Sequence, residues 1–128
     1  MADRLVDSDV LIDALRGQAS VKAALTTLAM DGTLSTTVIS LYELDCGADT
    51  PEERAAIRRL LEGVDIIVLD ATSAVEAAKL DRELRQLGRR LEVRDTLIAG
   101  IALSHNLPLV TRNRKHFDRV PGLIMEKL

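Results

Sequence analysis

The chain has 128 residues, 47% of them apolar, enough to bury a core without disulfides or metal staples, and one domain over residues 1–128 is expected. With one Phe, one Tyr and no Trp it lacks the aromatic platforms of a base-stacking single-strand binder, and its single cysteine, Cys46, excludes an internal disulfide. The net charge of −3 argues against a uniformly cationic surface, and charges interrupt every apolar run, so a cytoplasmic protein that does not span a membrane is expected.

In chain order, "RLV" reads as a short strand ending on Asp7, and a short helix runs from about Asp9 to a stop at Gly17. "ASVKAALTTLAM" forms a second helix, with Asp31-Gly32 as the turn after it. "TLSTT" is a strand leading into the helical "VISLYELDCGA". "TPEERAAIRRLLEG" is fully punctuated: Thr50 as N-cap, Pro51 at the first position, Glu53 closing a capping box and Gly63 as the stop. "DIIVLD" reads as a buried strand. Ser73 and Glu76 box the start of a long helix with Ala77, Leu80, Leu84 and Leu87 on one face, ended by Gly88. "VRDTLIAGIALSHN" is the next helix, closed by Asn106-Leu107-Pro108, and "PLVT" and "GLIME" supply two more strands. This β-α alternation predicts a three-layer α/β/α fold, with a central parallel sheet of four to five short strands flanked by helices.

Three carboxylates stand where a packed fold has little use for them. Asp7 ends the first strand, where open α/β sheets form their ligand crevice, although an Asp there also suits a helix cap. Glu43 lies between Leu41-Tyr42 and Leu44, and its spacing from Ser40 also fits a capping box. Asp95 opens an apolar helix, where a negative charge is favourable in its own right. Together the three fall at one edge of the predicted sheet. Crowded carboxylates repel unless a cation joins them, and oxygen-only clusters suit Mg²⁺ or Mn²⁺. The two histidines, His105 and His116, cannot build a zinc site.

Thirteen of the seventeen cations are Arg, the better bidentate phosphate partner, and basic residues concentrate at 79–94 and 112–119. Such runs are also what a solvated helix face looks like.

The order "LVDSDVLIDALRG", "STTVISLYELDCGA" and "VRDTLIAGIALSHNLPLVTRNRKHFDRVPGLIME" resembles a PIN domain of the VapC toxin type over about residues 4 to 126. The resemblance implies a PIN-like fold and a metal-dependent endoribonuclease, a homodimer neutralised by a cognate antitoxin. It implies Asp7, Glu43 and Asp95 as catalytic and Mg²⁺-binding acids, with Mn²⁺ able to substitute, and Ser8 and Asp9 orienting the Asp7 loop. Arg112, Arg114 and Lys115 would hold the RNA backbone without reading its sequence. Hydrolysis by an activated water leaves the 2′-OH out of the chemistry, so the expected products carry a 5′-phosphate and a 3′-hydroxyl. The chain departs from the family's pattern at the fourth acid: Asn113 and His116 occupy that segment, and Asp118 lies two residues beyond His116. A second metal ion is expected to bind weakly.

Three other readings compete. A catalytically weak PIN scaffold would bind RNA or antitoxin without cutting. A haloacid-dehalogenase-type phosphatase would use "LVDSDVL" with Asp7 as nucleophile, but the later Lys and paired acids of that fold are missing. A receiver-like phosphoacceptor using Asp7, Asp9 and Asp70 would need a late Lys, and Lys115 is misplaced for it.

Overall fold

The computed structural model describes residues 3–128. Five strands, β1 (Arg4–Val6), β2 (Leu34–Thr37), β3 (Asp65–Ile67), β4 (Leu109–Val110) and β5 (Met125–Glu126), form one sheet in the order β3-β2-β1-β4-β5. Every pairing is parallel. Among the described residues, seven helices connect them: α1 (Ser8–Leu15), α2 (Ala19–Asp31), α3 (Val38–Cys46), α4 (Pro51–Leu60), α5 (Ala71–Gln86), α6 (Val93–Ser104) and α7 (Arg114–Phe117).

The three layers follow from the two-residue period of the strands. Leu5 and Leu109 point into the core shared with α5 and α6, alongside Leu80, Leu84, Ile98 and Phe117. Their neighbours Val6 and Val110 point the other way, to Val10, Leu11, Val21, Leu25 and Ile57 under α1, α2 and α4. Helices α5 and α6 pack closely because α6 presents Gly100. A Cβ there would lie 2.7 Å from the Ala77 Cβ and 2.8 Å from the Ser73 carbonyl oxygen. Arg4 ties β1 to the end of α2 through an ion pair with Asp31, at 3.0 Å, and to β5 through one with Glu126. Among the described residues no helix is long and apolar enough to cross a membrane.

Several local expectations change. The "DIIVLD" run is not a buried strand: β3 is an edge, paired only with β2, and Asp65 and Ile66 face solvent. Its last residue, Asp70, is the N-cap of α5 and accepts the Ser73 N–H at 2.8 Å, so Ser73 and Glu76 do not box that helix. Leu87 falls just beyond the last helical residue and is exposed, unlike Ala77, Leu80 and Leu84. Helix α3 is capped by Thr37, whose Oγ1 accepts the Ser40 N–H at 3.0 Å, leaving Glu43 free of any capping duty. The Thr50 cap and Pro51 start of α4 stand as expected, although α4 ends at Leu60, before Gly63. The one-turn α7 was not expected.

Candidate active site

Because all strands run in parallel, the segments leaving β1, β2 and β4 emerge at one edge of the sheet. The first turn of α6 reaches the same edge. Asp7 follows β1 and caps α1, so its cap and site readings are both true. Its Oδ1 accepts the Ser8 N–H at 2.8 Å, and its Oδ2 accepts the Thr111 hydroxyl at 2.9 Å. The side chain is 1% exposed. Glu43 reaches in from α3 and accepts the Ser8 hydroxyl at 3.2 Å. Asp95, in the first turn of α6, is also buried.

The three acids meet on Arg94. Its Nη2 donates to Asp7 Oδ1 at 2.8 Å and to the Ser8 hydroxyl at 2.6 Å. Its Nε pairs with Glu43 and its Nη1 with Asp95. Every nitrogen of the guanidinium therefore has an acidic partner. Burial pulls the Arg94 guanidinium down, but the hydrogen bond to Glu43 and the charges of Asp7, Glu43 and Asp95 override it and hold it above the ordinary arginine value.

Asp9 sits beside this cluster. Its carboxylate accepts the N–H groups of Val10 at 2.7 Å and Arg112 at 3.0 Å, and the Thr111 hydroxyl at 3.3 Å. Burial raises the Asp9 carboxyl above its ordinary value, the charge of Asp7 adds to this, and the three donors only partly offset it. The folded chain therefore holds this proton more tightly than the unfolded chain. Asp9 favours folding below its unfolded pKa, and that contribution is lost as the pH rises through the folded value. Carbon-detected NMR should find Asp9 titrating above the model-peptide value, and Asp7→Asn should move the midpoint down by removing the neighbouring charge. An unchanged midpoint would show that Asp7 does not act on it.

Of the residues in the fourth-acid segment, Asn113 and His116 are at the site and Asp118 is not. The His116 Nδ1 lies 3.3 Å from Asp95 Oδ2 and 2.9 Å from the Asn113 amide. That ring nitrogen can donate to Asp95 or accept from Asn113, but not both at once. Asp118 is exposed past the end of α7, and among the described residues no hydrogen bond of the cluster reaches it. The expected backbone-binding cations separate. Arg112 lines the open cleft of about 450 Å³ that holds Asp7, Asp9, Glu43 and Arg94, and pairs with Asp13 at 3.0 Å. Arg114 lines the adjoining cavity of about 420 Å³ with Thr111, Ser20 and Lys127, and its Nη1 is buried with no hydrogen-bond partner among the described residues. Lys115 is exposed on α7.

Two site residues escape a reading of the sequence. Thr111, at the end of "PLVT", looks like a strand residue, and Arg94 is absorbed into the basic run before it. The available signal for Arg94 was its place directly before Asp95 at the start of an apolar helix.

The donor set suits a hard divalent ion: oxygen atoms only, on three carboxylates that already converge on one centre of positive charge. That centre is a guanidinium, and the acids stand around it. Among the described residues no group of three or more His, Cys, Asp or Glu side chains is spaced to hold a metal ion as it stands. The residues fit such an ion in kind, and the Arg94 guanidinium lies where the three acids meet.

The chain is similar to known proteins both in sequence and in overall fold. Residues 4–123 match the family described as PIN domain. Ribonuclease VapC10 of Mycobacterium tuberculosis is 37% identical over 88% of this chain and 84% of its own. The tRNA(fMet)-specific endonuclease VapC of Shigella flexneri is 31% identical over 95% of both chains. Among solved structures, a chain of VapBC2 from Rickettsia felis, crystallised bound to a DNA fragment from its promoter, superposes with a TM-score of 0.92 at 28% identity, covering 98% of each chain.

Proposed function

This chain belongs to the PIN domain family, and from that premise we propose that it is a metal-dependent endoribonuclease, the toxin of a toxin–antitoxin pair. The observation that carries the proposal is the convergence of Asp7, Glu43 and Asp95, from three separate segments, on one cationic centre in an open cleft. The named ribonuclease relatives and the VapBC complexes support it.

Asp7, Glu43 and Asp95 would hold the ion, Mg²⁺ or Mn²⁺ by the hardness of the ligands. When bound, the ion supplies Lewis acidity toward water and toward the scissile phosphate. The Thr111 hydroxyl orients the Asp7 carboxylate and the Ser8 hydroxyl that of Glu43. Glu43, the most exposed of the three at 29%, would take a proton from the attacking water. Arg112 at the cleft and Arg114 beside it offer charge to the RNA backbone, with Lys115 further out on α7. The antitoxin would seat on the apolar cavity of about 390 Å³ between α1, α2 and α4, lined by Leu11, Ala14, Leu25, Ala29 and Leu60. Exposed side chains on α2, Ala19, Ala23 and Met30, fit a homodimer.

The test is incubation with defined RNA and DNA oligonucleotides in Mg²⁺, Mn²⁺ or chelator, with the product ends mapped. RNA cut to 5′-phosphate and 3′-hydroxyl ends only in the presence of metal supports the reading. Cleavage that survives the chelator, or 2′,3′-cyclic phosphate ends, rejects it. A second reading, a scaffold that binds RNA or antitoxin without cutting, is favoured by one observation: His116 and Asn113 replace an acid beside Asp95. RNA retained on the protein but left intact at all metal concentrations would select it. The phosphatase and phosphoacceptor readings give way to the family assignment.

A further inference from the structure

We infer that Arg94 is an internal counter-ion that competes with the divalent cation for the acid cluster and so sets the metal concentration at which the site fills. The inference rests on the metal-dependent reading above and goes beyond it to this chain's own regulator of metal entry.

The guanidinium is not resting on the cluster by chance. It engages Asp7, Glu43, Asp95 and the Ser8 hydroxyl with all three of its nitrogens, and Asp7 and Asp95 are almost fully buried. Without a cation those carboxylates would repel one another in a medium that screens poorly. Arg94 therefore stabilises the metal-free fold. Its own side chain is 26% exposed and opens onto the cleft, so it can leave without unfolding α6.

A divalent ion and a guanidinium cannot both occupy the point where the three acids meet. Three carboxylates and one guanidinium leave two net negative charges, and exchange of the guanidinium for a dication leaves one. The exchange is favourable only when enough ion is present to offset the hydrogen bonds that Arg94 gives up. The apparent metal affinity is then lower than the acids alone would confer, as expected when the competent state is only one of two.

The experiment compares the full chain with Arg94→Gln and Arg94→Lys. Mn²⁺ binding is followed by electron paramagnetic resonance of the free ion, and thermal unfolding is followed with and without the ion. Arg94→Gln should bind Mn²⁺ on the order of tenfold more tightly, because cation affinity follows the charge left uncompensated in an oxygen site. It should also melt earlier without metal and regain its midpoint with metal. Arg94→Lys keeps a charge but cannot address three carboxylates at once, so it should fall between the two and remains informative if the glutamine variant folds poorly. In the natural protein, Mg²⁺ should speed hydrogen exchange at the Arg94 Nε–H, a change that a purely structural arginine would not show. Metal affinity equal to or weaker than the natural protein's in both variants overturns the inference while leaving the nuclease reading intact. No Mn²⁺ binding by any of the three at millimolar concentration overturns the metal-dependent reading and the inference with it.

Discussion

Asp7→Asn is expected to lower RNA cleavage by about three orders of magnitude, roughly 4 kcal/mol of transition-state stabilisation, while the protein stays folded. The two halves of this expectation have different origins. Asparagine is as good a helix cap as aspartate, so the Ser8 N–H and the start of α1 keep their acceptor. The buried Thr111 hydroxyl can still find an amide oxygen or turn to Asp9. Arg94 keeps Glu43 and Asp95. What is lost is one full negative charge at the deepest point of the cluster, and affinity of a hard cation follows ligand charge. Asp7→Ala should be equally inactive but also less stable, by about 0.5–2 kcal/mol for the missing cap. Cleavage rates and urea unfolding of both variants decide the matter. An Asp7→Asn protein cutting RNA at the natural rate would remove Asp7 from the site.

The second large effect is on stability. Phe117→Ala should cost about 3–5 kcal/mol, a sizeable share of the roughly 5–15 kcal/mol that holds a domain together. Phe117 is the chain's single phenylalanine, has no exposed surface, and fills the core between the sheet and α5 and α6 with Leu5, Leu84, Ile98 and Leu109. No neighbouring aromatic can swing in to fill the space. The residue also anchors the one-turn α7, whose preceding residue His116 lies against Asp95. Equilibrium urea unfolding should show the loss, and cleavage by the variant under folding conditions should fall along with it. A loss below about 1 kcal/mol would mean that the core collapses onto the vacancy, as soft sites do.

How much of this was legible differs from element to element, for physical reasons. The layer architecture was readable because alternating short apolar runs and capped helical stretches leave few arrangements. The three acids were readable because each interrupts or opens an apolar segment at the same edge of the expected sheet. The status of "DIIVLD" was not, since an apolar run looks alike in a central strand and at an edge, and only the strand order makes β3 an edge. Asp70 lost its cap role to Ser73 in the reading because both are favoured at that position. Helix α7 is a single turn, too short for any periodicity to show. Arg94 was hidden for a different reason. Its role depends on Asp7 and Glu43, 87 and 51 positions away in the chain, and a local reading sees only one more arginine in a basic stretch.

Those long separations also govern when activity can appear as the chain folds. The central strand β1 needs β4 on one side, and the Asp7 carboxylate needs the Thr111 hydroxyl 104 positions later. Closing such loops costs entropy before any contact returns it, so parallel pairing of distant strands is slow compared with the formation of α1 or α4. A nascent chain that has released its first sixty residues owns Asp7 and Glu43, with neither Asp95 nor Arg94 to complete or quiet them. The cluster of Asp7, Glu43, Asp95 and Arg94 is thus among the last features to form. Until β4 docks, α1 and α2 are present while the cluster is incomplete, so a partner that binds those early helices meets a chain that is not yet a nuclease.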